Sequence, residues 1–155
     1  MPHGFKDTVG KDWLVEINIG ALKRVRGLLD LDLLALEAGD PPLLTRLGLD
    51  IVLICDVLFA LLKPQADAAD VTDEQFAERL GGEVILAAHK AFYEELTDFF
   101  QSLGRNHMAT AVKKQLEMID AGTRLADEKL KEIDIEAEAK LIFGDPSTSS
   151  PASAE

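Results

Sequence analysis

The chain has 155 residues, 47% of them apolar. That is enough for one domain with a packed core and too apolar for disorder throughout. Its formal net charge is −12, which disfavours nucleic-acid backbones and anionic membrane surfaces as partners, keeps an apolar-rich chain in solution, and can steer a basic partner.

Residues 5–19 read as a β-hairpin. Trp13, Val15, Ile17 and Ile19 alternate with Leu14, Glu16 and Asn18, a period of two that puts four large apolar side chains on one face. Thr8 to Asp12, with Gly10 inside, supplies the turn. Two strands alone are marginal in water, so this face must cover helices. A first helix follows over about residues 20–29, with Asn18 as its cap or the end of the strand. Lys23, Arg24 and Arg26 read as its solvated face.

Residues 30–40 are leucine-rich with interspersed acids and suit a short helix or a turn. Pro41 and Pro42 mark the next helix start, because proline is tolerated in a first turn, and Gly48 closes that helix. Residues 50–63 read as a central helix, apolar on every side and therefore buried on every side. Asp56 is the exception and needs a partner there. Cys55, the only cysteine, packs in this run as a small hydrophobe, which suits a reducing cytoplasm. The run, residues 51–62, is shorter than the roughly twenty apolar residues of a membrane span, and no apolar leader follows Met1.

Pro64 ends or kinks the central helix. Asp67, Asp70, Asp73 and Glu74 lack the alternation and central glycine of a calcium loop. They fit a helix start instead: Thr72 and Gln75 form a capping box, and Asp73 and Glu74 sit in a first turn. This helix runs to about Leu80, before Gly81-Gly82. Residues 83–100 carry one apolar stripe, Ile85, Ala88, Phe92, Leu96 and Phe99, and Phe92, Phe99 and Phe100 are expected to anchor the core.

The last helix is predicted over about residues 105–142. Val112, Leu116, Ile119, Thr123, Ala126, Leu130, Ile133 and Ala137 step by four and three alternately, a heptad seam on an otherwise charged helix. Gly122 weakens it in the middle and divides a packed half from a projecting one. Residues 144–155 are rich in Ser, Thr and Pro and read as a disordered tail. The expected fold is mainly α: a single helical domain of five to six helices over residues 1–143, with a short N-terminal hairpin.

The sequence carries no catalytic signature. His3, His89 and His107 have no second ligand at metal spacing, and His89 reads as a surface or boundary residue. Glu94 and Asp98 share a helix face and could hold a metal or act as acid and base, but no histidine stands near them in sequence. No phosphate loop, nucleophile elbow or zinc motif is present. The expectation is therefore no catalytic, cofactor or metal residues. The candidate partner-binding residues are Leu116, Ile119, Ala126, Leu130, Ile133 and Ala137, because an apolar line on a polar helix docks in a groove or pairs with another helix. Folding back on its own domain is the alternative.

Six segments, taken in order, resemble the tail assembly chaperones of long-tailed bacteriophages. They are Trp13-Leu-Val-Glu-Ile-Asn-Ile19, Lys23-Arg-Val25, Asp56-Val-Leu58, Lys63-Pro-Gln-Ala-Asp67, Val71-Thr-Asp-Glu-Gln-Phe76 and Glu94-Glu-Leu-Thr-Asp-Phe-Phe100. The likeness covers about residues 5–116 and contains no chemical signature. It implies a helical, non-enzymatic protein that binds the tape measure protein, keeps it soluble while tail tube subunits polymerise, works in the host cytoplasm, and stays out of the mature virion. It also implies a shorter form of two made by frameshifting, with no cofactor, nucleic-acid or membrane partner. A helical adaptor that self-associates through the last helix remains the other reading, and a homo-oligomer is compatible with both.

Overall fold

A computed structural model describes residues 3–132. The fold is a helix-dominated α+β arrangement: two antiparallel strands, β1 (His3–Lys6) and β2 (Asp12–Val15), followed by six helices. These are α1 (Ile19–Leu29), α2 (Leu43–Leu49), α3 (Ile51–Ala68), α4 (Asp73–Glu78), α5 (Glu83–Ser102) and α6 (Asn106–Glu132). One compact unit ends at Glu117, and α6 from Met118 onward belongs to a second. The far end of the expected last helix and the Ser/Thr/Pro-rich tail lie outside the described residues.

The hairpin pairs Phe5 with Trp13 and Gly4 with Leu14. Trp13, Val15 and Ile17 are buried as the alternation requires. Ile19 is not: it is the first residue of α1 and is exposed, because the period changes from two to 3.6 at Asn18. Asn18 caps α1 by accepting from the Ala21 amide at 2.9 Å. Gly4 is needed for the strands to approach, since a Cβ there would lie 2.6 Å from the Trp13 carbonyl oxygen. The outward edge of β2 is closed by a side chain. Gln65 of α3 accepts from the Leu14 amide at 3.0 Å and donates to the Leu14 carbonyl at 2.7 Å, standing in for a third strand.

The turn between the strands is organised by Asp7, whose side chain is fully buried. It accepts from the Val9 and Lys11 amides and from the Trp13 indole Nε1 at 2.9–3.0 Å. The Arg79 guanidinium lies 3.6 Å from it. Burial alone pushes its carboxyl up, but those hydrogen bonds, with Arg79, hold it below the usual carboxylate value. The Thr8 amide also bonds the Arg79 carbonyl. The hairpin is thus tied to the end of α4, and Trp13 meets Phe76 of α4 edge-on, ring centroids 5.2 Å apart.

Helix α3 is the centre of the unit, packed against α1, α2, α4, α5 and β2. It neither ends at Pro64 nor is buried on every side. It runs on to Ala68 with Pro64 inside it, and Ile51 and Val52 at its start are 58% and 71% exposed. An internal proline leaves the carbonyl four residues earlier, here Ala60, without a partner. Arg24 of α1 supplies it: Nε donates to the Ala60 carbonyl at 3.0 Å and Nη2 to the Leu61 carbonyl at 2.9 Å. Arg24 is therefore a structural clamp and not part of a solvated basic face. Lys23 and Arg26 remain exposed, with Arg26 paired to Asp32.

Residues 30–40 form turns that bury Leu33 and Leu36. Gly48 lies inside α2 and does not close it. The capping box forms as expected, with Thr72 and Gln75 each bonding the other's amide. On α5, Ala88, Phe92, Leu96 and Phe100 are fully buried, while Ile85 and Phe99 sit at the margin. The first turns of α6 bury Ala109 and Val112, and Gln115 lies over Gly48 and donates to the Leu44 carbonyl at 3.4 Å.

The Arg24 clamp predicts a coupled pair. Arg24→Ala leaves the Ala60 carbonyl unsatisfied and lowers unfolding free energy by about 1–3 kcal/mol. In a Pro64→Ala background the helix supplies its own donor, and the cost of Arg24→Ala falls by about 1 kcal/mol or more. Urea unfolding of the four proteins measures this; equal costs in both backgrounds would remove the link.

Candidate functional site

The heptad seam changes character along α6. Val112 is fully buried, Leu116, Ile119 and Thr123 are half-buried, and Ala126 and Leu130 are exposed, Leu130 to 66%. Ile133 and Ala137 lie outside the described residues. Two further apolar side chains escape the strict heptad: Met118 and Leu125 are 69% and 56% exposed. Each precedes a seam residue, so Met118 beside Ile119 and Leu125 beside Ala126 widen the line into a band. Spacing of seven between Met118 and Leu125 was the signal for them. The band is flanked by exposed charges of both signs, Lys113, Lys114, Glu117, Asp120, Arg124, Glu128 and Lys129.

The titratable groups fall into three separate places. At the first, β1 lies along α5 and brings His3 to the two carboxylates expected to stand without a histidine. His3 Nδ1 is 2.9 Å from Glu94 and Nε2 is 2.9 Å from Asp98. His3, Glu95 and Asp98 also bring one ligand atom each to within 4.8 Å of one another. A cation bound there would have to displace the contacts already made by both ring nitrogens. The arrangement works as a clip between the hairpin and α5.

The second place is an open cleft of about 340 Å³ between α3, α4 and the start of α5. Asp56 faces it half-buried, together with Asp73 and Glu74. No cation stands among the lining residues. Desolvation, then Asp73 and Asp50, push the Asp56 carboxyl above its usual value. Cys55 lines the same cleft; burial, with Asp56 and Asp73 behind it, pushes its thiol up to about 11, so it stays protonated and unreactive at neutral pH.

The third is buried. His89 is 6% exposed and stacks on Tyr93 with ring centroids 4.8 Å apart, so it is a core residue rather than a surface one. Its Nε2 and the Tyr93 hydroxyl have no hydrogen-bond partner among the described residues. Burial holds the His89 ring below its ordinary value of 6.5, with the Leu47 backbone opposing weakly, and pushes the Tyr93 phenol up. Its place three, four and seven residues before Phe92, Tyr93 and Leu96 is the sequence signal for this burial, which the exposed Lys90 beside it masks.

These three places do not converge. No nucleophile, base and orienting group share one of them among the described residues. Compared with protein families, curated proteins and solved structures, the chain matches none. No helix among the described residues is long and apolar enough to cross a membrane.

The shifts set the acid side of the stability profile. His89 is depressed, so the unfolded chain binds its proton first; stability is full above about pH 6.5 and falls as pH drops below it. Asp7 is also depressed, and its contribution is lost further down, below about pH 3.8. Asp56 is raised, so its charge opposes folding at neutral pH; Asp56→Asn is expected to raise the melting midpoint at pH 7 and to do so less as pH falls towards 4. Thermal unfolding of the wild type, His89→Phe and Asp56→Asn across pH 3–8 checks all three. A wild-type profile flat between pH 7 and 5 would contradict the His89 assignment.

Proposed function

We propose that this chain is a tail assembly chaperone of a long-tailed bacteriophage. It binds the tape measure protein, keeps it soluble while the tail tube grows, performs no chemistry, and acts in the host cytoplasm without entering the mature virion. The observation that carries this reading is the apolar band on α6, where Leu125, Ala126 and Leu130 are exposed among the described residues. Each large side chain in such a band gains about 1.5–3 kcal/mol when fully buried, so a line of them favours pairing with another apolar helix. A tape measure protein, being long, helical and apolar, offers such a helix. The resemblance of six ordered segments supports the same partner, and the charge of −12 supports the role of a solubilising cover.

The same band favours a second reading, a helical adaptor that pairs with its own copies through α6. Flanking charges of both signs allow a like helix to approach.

Co-expression separates the two. A tape measure fragment is expected to be soluble and to co-purify with this chain, and to aggregate when the chain is omitted. Leu125→Glu/Leu130→Glu is expected to lower the co-purified amount at least about tenfold, the cost of burying two unpaired charges. A fragment that stays soluble alone and forms no complex removes the chaperone reading. Light scattering on the chain by itself tests the adaptor: a dimer that becomes a monomer in the double variant supports it, and an unchanged mass removes it.

A further inference from the structure

We infer that the cleft between α3 and α4 is a second docking site, built for a helical segment of another protein that presents Arg or Lys beside large apolar side chains. The inference is independent of the tail-assembly reading and of the α6 band.

Apolar and acidic side chains line the site together. Val52, Leu80 and Ile85 form its walls, and Asp56, Asp73 and Glu74 its charges. Val52 is 71% exposed although it opens the most apolar helix of the chain. Its neighbours Leu49 and Ile51 are 79% and 58% exposed. They continue the apolar surface into an adjoining cleft that shares Ile51 and Val52 with the first. Helix α3 begins with this surface bare, whereas its later turns are packed.

The charges are what identify the occupant. Of the Asp and Glu side chains around the cleft, Asp73 and Glu74 already serve the first turn of α4. Among the described residues Asp56 caps no helix and makes no ion pair, and desolvation, then Asp73 and Asp50, push its carboxyl up. Three like charges held next to apolar walls are costly when empty and become favourable when a cation enters. A guanidinium or ammonium there would be shielded by the same apolar walls that its neighbouring Leu or Phe would fill. A purely apolar helix would leave the carboxylates desolvated and unpaired, and an acidic one would be repelled. A second copy of this chain brings a charge of −12 and is disfavoured on the same ground.

The test uses the full chain and a fluorescent synthetic amphipathic helix with leucines at i, i+3, i+4 and i+7 and flanking lysines and arginines. Anisotropy is expected to report saturable binding that weakens with salt. Asp56→Asn/Asp73→Asn/Glu74→Gln, which keeps the Thr72 cap, is expected to weaken it at least about tenfold, and Val52→Glu to weaken it similarly. Glu16→Gln/Glu37→Gln/Asp40→Asn removes the same charge from exposed positions elsewhere and is expected to change affinity less than about twofold. Circular dichroism and thermal melts confirm that each variant is folded. Absence of binding to the wild type, or equal weakening by the cleft triple and the surface triple, would overturn the inference.

Discussion

The carboxylate of Asp7 holds the N-terminal part of the fold in place. A fully buried charge survives only where donors surround it, and here they come from Val9, Lys11 and the Trp13 indole, with Arg79 nearby. That set of bonds dictates the turn, and the turn dictates the register that places Trp13 opposite Phe5. Because Arg79 follows α4 directly, the same carboxylate fixes where α4 ends. Trp13 then covers Phe76, and Phe76 in turn packs on Phe59 of α3, ring centroids 5.6 Å apart. One ionised side chain therefore links the hairpin, the shortest helix and the central helix.

The central helix has a comparable dependency on its other side. Pro64 would break an isolated helix, yet α3 continues through it because α1 places Arg24 on the Ala60 carbonyl that the proline leaves bare. The arrangement works in both directions. The proline creates an acceptor that orients α1, and α1 allows α3 to reach Gln65, whose amide closes the β2 edge. Removing the proline's defect would also remove the reason for Arg24 to sit where it does.

Features whose two ends are close in sequence were readable without coordinates. The Thr72–Gln75 box, the Asn18 cap, the alternation from Trp13 to Ile17 and the stripe on α5 each repeat or close at steps of four residues or fewer along the chain. Features that join distant residues were not. Arg24 and Ala60 are 36 positions apart, Leu14 and Gln65 are 51 apart, and His3 and Asp98 are 95 apart. A basic residue on a short helix looks solvated until the partner carbonyls are known, and a histidine beside a lysine looks exposed until Tyr93 is seen stacked on it. The local cost of proline predicts an end or a kink at Pro64, and α3 runs through it to Ala68. At its start, a helix apolar on every side predicts burial on every side, but no element of this unit covers Ile51 and Val52.

Two apolar surfaces result, and their electrostatics differ. The α6 band is edged by charges of both signs, which tolerates a partner of either charge, including a like helix. The cleft beside α3 is edged by carboxylates alone among its lining residues, which selects against acidic chains and therefore against copies of itself. Acid placed this way does two things that acid spread evenly would not. It keeps exposed Val52 and Ile51 from pairing with the same surface on a neighbour, where like charges would meet at close range. It also leaves that surface open to a cation-bearing helix, whose charge converts the repulsion among Asp56, Asp73 and Glu74 into attraction. The net charge of −12 is thus more than a solubility device; its distribution decides which of the two bare surfaces a given partner can use.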